Sequence, residues 1–237
     1  DRQSWRCFGA CATGGDMFSF VMRAENIDFP QALNRLAEQA GVRLSRQGRR
    51  PDQGITFQIN EQARTYFQDL LSSSQGAAAA AYLAHRGLAP ETIEKFELGL
   101  SPSDGESLKN RLVKQGFSLE HLTLSGVVRR DQNGRFRDFF RGRVMIPIRD
   151  ARGQLGGFGG RALDSSPAKY LNSPRSPNFD KGRILFALNL SQEAARQRGI
   201  VVVEGYMDAI MAHQHGFDNV VAIMGTALTE QQVAQVR

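Results

Sequence analysis

The 237 residues, 41% hydrophobic and 23% charged, suffice for one large domain or two small ones of ordinary globular make-up. No apolar run nears the roughly 20 residues a membrane span requires, and two cysteines cannot build a disulfide framework, so an oxidising compartment is not indicated and a cytoplasmic setting fits better. The net charge of +6 is concentrated: residues 129–183 hold 13 Lys and Arg against 5 Asp, and the remainder 17 against 19. That is the footprint of a phosphate-binding stripe, or else a solvated arginine-rich face.

In chain order, an aromatic stretch carries Trp5, Cys7, Phe8 and Cys11 and leads into Gly14-Gly15-Asp16. Pro30 opens a helix whose Leu33, Leu36, Ala37 and Ala40 share a face, and Gly41 closes it. The polar, Gly- and Pro-bearing run from Ser45 to Gly54 reads as a linker. Helical patterns follow to about Leu124: Asn60–Leu71, Ala77–Arg86 stopped by Gly87, and shorter helices starting near Pro90 and Glu106. The period then becomes two. Val144, Ile146 and Ile148 alternate with Met145, Pro147 and Arg149, and a turn at 150–153 leads into Leu155–Phe158, which predicts a hairpin. A helix to Arg198, the β-branched run Ile200–Val203, a helix from Met207, a strand at Val220–Met224 and a helix from Thr229 predict a parallel sheet covered by helices. The chain starts at Asp1 without a signal peptide and stops at Arg237 inside what reads as a helix, so both ends read as cut.

The phrase Val201-Val202-Val203-Glu204-Gly205-Tyr206-Met207-Asp208 places an acid at the C-terminal end of a strand expected to be buried, where α/β sheets collect ligands. Gly205 permits the turn, and Asp208 falls in the first turn of the next helix. A second strand ends in Met224-Gly225-Thr226, a small-residue turn that can approach a phosphate.

Taken with HQHG (His213–Gly216) and NVVAIMGTALT (Asn219–Thr229), this segment resembles the TOPRIM domain shared by bacterial primases and topoisomerases, in its primase form. The resemblance extends through RGRVMIPIRD (Arg141–Asp150), GFGGRAL (Gly157–Leu163), KYLNSP (Lys169–Pro174), FDKGR (Phe179–Arg183), YLAHRGL (Tyr82–Leu88) and the amino-terminal WRCFG phrase, which is similar to the end of a zinc ribbon. It implies a mixed α+β and α/β architecture: residues 1–44 from a zinc-ribbon domain, 45–54 a linker, 55–189 the basic subdomain of a primase core, and 190–237 the first half of TOPRIM.

The resemblance implies template-directed synthesis of short RNA primers on single-stranded DNA. Glu204 is then a magnesium ligand or proton-transfer group and Asp208 a supporting acid. Arg161, Lys169, Tyr170, Asn172 and Lys181 line a groove for template or ribonucleoside triphosphate, with Arg86, Arg141 and Arg143 as lesser candidates. Cys7 and Cys11 are two of four zinc ligands, although Cys-x3-Cys departs by one residue from the family's usual spacing. The family's Asp-x-Asp pair is absent from these residues, so the catalytic carboxylates are incomplete and the chain by itself is expected to be inactive. A monomer is expected, with a replicative helicase docking on a further C-terminal region. The four histidines read as structural or surface residues. Two competing readings are another TOPRIM enzyme, a topoisomerase or nuclease, and a non-catalytic module that holds single-stranded DNA.

Overall fold

The computed structural model describes residues 4–9, 12–40, 51–164, 168–225 and 227–236. Its architecture is mixed α/β, in two compact units, residues 1–48 and 49–237. In the first unit, β1 (Ser4–Arg6) pairs antiparallel with β2 (Gly14–Asp16), and the helices α1 (Met17–Ala24) and α2 (Phe29–Gln39) follow. Asp16 caps α1 by accepting the Ser19 N–H at 2.8 Å. Asp28 and Gln31 cap α2 reciprocally, which satisfies two otherwise orphaned donors. The Trp5 ring meets Phe20 edge-on at 5.4 Å and holds the hairpin against α1.

The second unit opens on α3 (Pro51–Ser72), which begins inside the stretch read as linker. Proline suits a first helical turn, and Asp52 favours the positive end of the helix dipole. Tertiary contacts add to this: Asn178 donates to the Gln53 carbonyl at 2.9 Å, and the Gln53 amide donates to the Pro177 carbonyl at 3.2 Å. A 3₁₀ turn at Ser74–Gly76 leads to α4 (Ala77–His85) and α5 (Pro90–Lys95). After β3 (Gly99–Leu100) come α6 (Ser107–Lys114), α7 (Leu119–Leu124) and a hairpin of β4 (Val128–Arg130) and β5 (Phe136–Asp138) that the sequence pattern does not predict. Its two three-residue strands are too short to show a period.

A four-stranded antiparallel sheet, in the order β3, β6 (Arg143–Arg149), β7 (Leu155–Ala162), β8 (Tyr170–Asn172), separates two hydrophobic cores. Val144, Ile146 and Ile148 enter one core and Met145 the other, so the alternation in β6 sorts side chains between two interiors rather than between core and water. The glycines of β7 make room for rings from both sides. A Cβ on Gly159 would stand 3.0 Å from the Tyr206 ring, and one on Gly160 2.8 Å from Phe140. Arg149 locks the end of β6 to α3 and to the segment before β3: it donates to Glu61 at 2.6 Å and to Glu97 at 2.7 Å. Burial opposes its charge, but these two carboxylates more than offset that and raise its pKa.

The last elements are α8 (Leu188–Arg198), β9 (Val201–Val203), α9 (Tyr206–Gln214), β10 (Val220–Ala222) and α10 (Glu230–Val233). β9 and β10 are parallel, as the strand–helix–strand grammar predicts. The strand expected to be buried is not the one the fold buries. β10 is the buried strand, because β9 covers one edge and Phe186 bridges to Ala222 on the other. β9 is open instead: Val201 is 48% exposed and Val202 38%, and among the described residues its outer edge pairs with no strand. The last helix also closes at Val233 rather than running on to the end of the chain.

His213 is buried on α9 and donates from Nε2 to the Val220 carbonyl at 2.8 Å, which fastens α9 to β10. Its Nδ1 is buried without a partner, so a second proton would have no acceptor. Burial, assisted by Lys95 and opposed by the Val220 carbonyl and Asp218, lowers its pKa below the ordinary 6.5. A folded-state value below the unfolded one gives stability that is full above pH 6.5 and is lost as pH falls through the folded value. Thermal melts from about pH 7.5 to about pH 5 should therefore show a falling midpoint, and His213→Gln, which keeps a donor for Val220, should flatten that fall. An unchanged slope in the variant would remove His213 as the cause.

Candidate active site

Glu204 follows β9 directly, and Asp208 sits in the first turn of α9; both are exposed. A Cβ at Gly205 would lie 2.7 Å from Asp208 Oδ2, so a side chain there would push that exposed carboxylate aside. The two carboxylates stand four residues apart at the exposed start of α9. Two carboxylate donors with access to water suit a hydrated magnesium ion, which keeps several of its waters. Among the described residues, no three His, Cys, Asp or Glu side chains converge as a metal cage.

Tyr206, one residue beyond Gly205, connects this turn to the basic strand. Its ring lies in the space left by Gly159, and its hydroxyl donates to Asn172 Oδ1 at 2.6 Å. Asn172 in turn donates to the Met224 carbonyl at 3.4 Å, beyond the end of β10. Burial pushes the Tyr206 hydroxyl well above the ordinary phenol range, so it remains a donor at any working pH. Tyr170 stands on β8, 6.1 Å from Tyr206 ring to ring and 39% exposed. Arg161, opposite Tyr170 in the β7–β8 register, bonds the Tyr170 hydroxyl. Its guanidinium lies 5.0 Å from the Tyr170 ring centre and 5.4 Å from that of Tyr82. Arg161 is only 8% exposed, and among the described residues its Nε has no partner.

The structure therefore brings Arg161, Tyr170 and Asn172 into one connected group that Tyr206 ties to the turn carrying Glu204, and adds Tyr82 and Tyr206, which sequence reasoning left out of the site. Both lie in the phrases YLAHRGL and EGYMD, and for Tyr206 the adjacent motif glycine was the available signal. Lys169 and Lys181 are exposed. Arg143 differs from its expected role. It donates to the Ala168 carbonyl at 2.9 Å and the Gly160 carbonyl at 3.3 Å, so it braces the approach to Lys169 instead of facing solvent freely. Arg141 is exposed, packed over Gly105. Arg86 is also exposed and caps α4; the adjacent Gly87 carbonyl accepts from Gln214, at the end of α9 remote from Glu204. In the first unit, Cys7 Sγ accepts the Gly9 N–H at 3.4 Å. Cys11 lies outside the described residues.

Comparison with known proteins gives this arrangement its class. Residues 66–192 match the N-terminal domain of the DNA primase catalytic core, 198–237 a Toprim domain, and 1–51 a CHC2 zinc finger. The chain belongs to the DnaG-type DNA primase family. It is 42% identical over 230 residues to the DNA primase of Deinococcus radiodurans and 38% identical over 248 residues to that of Geobacillus stearothermophilus. It covers 39% and 41% of those relatives' length, so it spans about two fifths of each. Among solved structures, the zinc-binding and RNA polymerase domains of Aquifex aeolicus primase match 99% of this chain, and 57% of that one, at TM-score 0.70 and 36% identity. The RNA polymerase domain of Mycobacterium tuberculosis DnaG matches 77% of this chain and 60% of its own at TM-score 0.72 and 33% identity. A DnaG catalytic domain bound to single-stranded DNA matches 78% of this chain and 60% of its own at TM-score 0.70 and 35% identity. No described helix is long and apolar enough to cross a membrane.

Proposed function

We propose that the protein containing these residues is a DNA primase, a nucleotidyltransferase that joins ribonucleotides into short primers on a single-stranded DNA template. The observation that carries the reading is the Tyr206–Asn172 bond, which ties the acidic turn to the basic strand. Lys169 and Lys181 meet phosphates of template or triphosphate, Tyr170 offers a stacking face, and Arg161 is held between two rings as a fixed positive charge. Asn172, oriented by Tyr206, presents its amide beside the same strand. Glu204 positions the primer 3′-hydroxyl and draws off its proton, and Asp208 keeps the local field negative. Magnesium held by Glu204 and Asp208 would neutralise charge on the phosphoryl oxygens.

Residues 1–44 belong to the zinc ribbon in this reading, 45–54 to a linker whose second part is the start of α3, 55–189 to the basic subdomain and 190–237 to TOPRIM. Ribonucleoside triphosphates and a helicase docking elsewhere in the protein complete the scheme. The deciding experiment is primer synthesis from ribonucleotides and magnesium on single-stranded DNA by the full-length protein. Strand cleavage and rejoining in its place would support a topoisomerase or nuclease, and template binding without synthesis a passive module.

Changing Lys169 or Lys181 to Ala in that protein should weaken template or nucleotide binding by roughly 1–3 kcal/mol, and lower the salt slope by about one for each phosphate no longer neutralised. Titrations at several salt concentrations check this; unchanged slopes and priming in both variants would remove the lysines from the site.

The zinc assignment makes a stoichiometric prediction. A structural zinc takes four ligands, and these residues supply two thiols. The 237 residues as a monomer should hold zinc weakly, whereas a version extended upstream should retain one equivalent through dialysis. Tight, equimolar zinc in the shorter chain would point to ligands other than the cysteine pair.

A further inference from the structure

Beyond β8 the chain runs through Pro174 to Arg175, Ser176 and Pro177, and these residues face the β4–β5 hairpin across a cavity of about 620 Å³. The two walls meet at Gly126, where a Cβ would stand 2.9 Å from Pro174. Arg130 and Phe136 are register partners on one face of the hairpin, and the Arg130 guanidinium lies 4.6 Å from the Phe136 ring centre. Among the described residues Arg130 pairs with no carboxylate, so its N–H edge is free. Arg175, on the opposite wall, is 81% exposed and pairs with Asp180 at 3.0 Å through one of its nitrogens. Leu124 and Pro177 supply apolar floor, and Glu120 is the single carboxylate among the lining residues.

We propose that this cavity is a second binding site for the single-stranded template, which receives one unstacked base and its phosphate after the strand leaves the groove along β8. The proposal rests on the primase reading of that groove and extends it. Three features favour a nucleotide unit. A guanidinium stacked on a ring offers a flat, polarised face for a base and an edge for a phosphate. Two arginines on opposing walls give a positive cavity beside one carboxylate. The cavity is open to solvent on one side, and about 620 Å³ leaves room for one nucleotide unit to enter from that side. Arg175 follows Tyr170 by five residues, so the segment that carries the groove's stacking ring also supplies one wall of the cavity. A strand that fills both places is held by more contacts than one at the active centre alone, which would keep the template in register between successive additions.

A free ribonucleotide has the same base-and-phosphate chemistry, so the test must separate the two sources. In the full-length protein, Arg130→Glu and Arg175→Glu are each titrated with a fluorescent single strand of about 30 nucleotides, with melting midpoints measured to confirm folding. Each should bind roughly five- to tenfold more weakly, with a shallower salt slope. Single 5-iododeoxyuridine substitutions along the strand should then crosslink peptide 123–137 from one position and the peptide holding Tyr170 from a different one. Lys169→Ala is run alongside. If Lys169→Ala weakens binding while both charge reversals bind as the parent does, the groove stands and the second site falls. If none of the three changes binding, the groove reading itself is wrong. Saturating ribonucleotide that abolishes the crosslink to 123–137 while the strand stays bound would assign the cavity to free nucleotide and overturn the template proposal.

Discussion

Glu204→Gln in the full-length protein should reduce primer synthesis by about a thousandfold or more while leaving template affinity within a factor of about two. Glutamine keeps the size and one carbonyl acceptor but removes the charge at the end of β9. Loss of charge stabilisation at a phosphoryl-transfer centre removes several kcal/mol from the transition state, and about 4 kcal/mol is roughly a thousandfold in rate. Template affinity should persist because the proposed reading gives the phosphate contacts to Lys169, Lys181 and their neighbours, and because Glu204 is exposed at the turn after β9. The same reasoning applies to the 237 residues alone. Glu204 and Asp208 are two carboxylates without an Asp-x-Asp pair, so this stretch should give no primers and a version extended past Arg237 should. Primer assays on the short chain, the extended chain and its Glu204→Gln variant check both statements. Undiminished synthesis in the variant would move the catalytic centre elsewhere.

Asp138→Ala should be the most destabilising single truncation of a polar side chain outside the site, at about 3 kcal/mol, or a fall of roughly 6–12 °C in melting midpoint. Asp138 is fully buried at the end of β5, and its carboxylate accepts the N–H groups of Leu108 at 3.0 Å and Lys109 at 2.8 Å. It therefore caps α6 from about 30 residues away, and alanine would leave two helix-terminal donors without acceptors. Burial, helped by Asp104, raises the Asp138 pKa although those two N–H groups pull it down. The interior thus disfavours its charge more than the cap rewards it. Asp138→Asn keeps an acceptor for only one of the two N–H groups and turns its amide nitrogen, a donor, toward the other, so it should recover only part of the stability that Asp138→Ala loses. A variant as stable as the parent would show that the second acceptor does not matter.

Much of the second unit was legible in sequence because its signals are local. Gly87 after a run of alanines, Pro90 at a first turn and the alternation through Val144–Ile148 are decided by backbone sterics and by which face each side chain takes. The family phrases made Glu204 and the KYLNSP strand recognisable, since residue type and spacing are all that a motif needs. What eluded the sequence depends on partners distant along the chain. Helix α3 extends through Pro51–Gly54 because Asn178 and Pro177, some 125 positions later, bond to Gln53. Which of β9 and β10 is buried depends on Phe186 closing one edge of β10, and two equally apolar runs contain nothing to rank them.

The sequence by itself determined the family, the mixed α/β class, the acidic turn and the basic segment. Only the tertiary structure decided which of the arginines are free. Arg143 is committed to the Ala168 and Gly160 carbonyls, Arg161 is buried between two tyrosines, and Arg130 keeps an unpaired edge over Phe136. Identical side chains in one basic run thus acquire different chemistry. A guanidinium's availability is set by the acceptors and rings that folding brings to it, and those come from other strands.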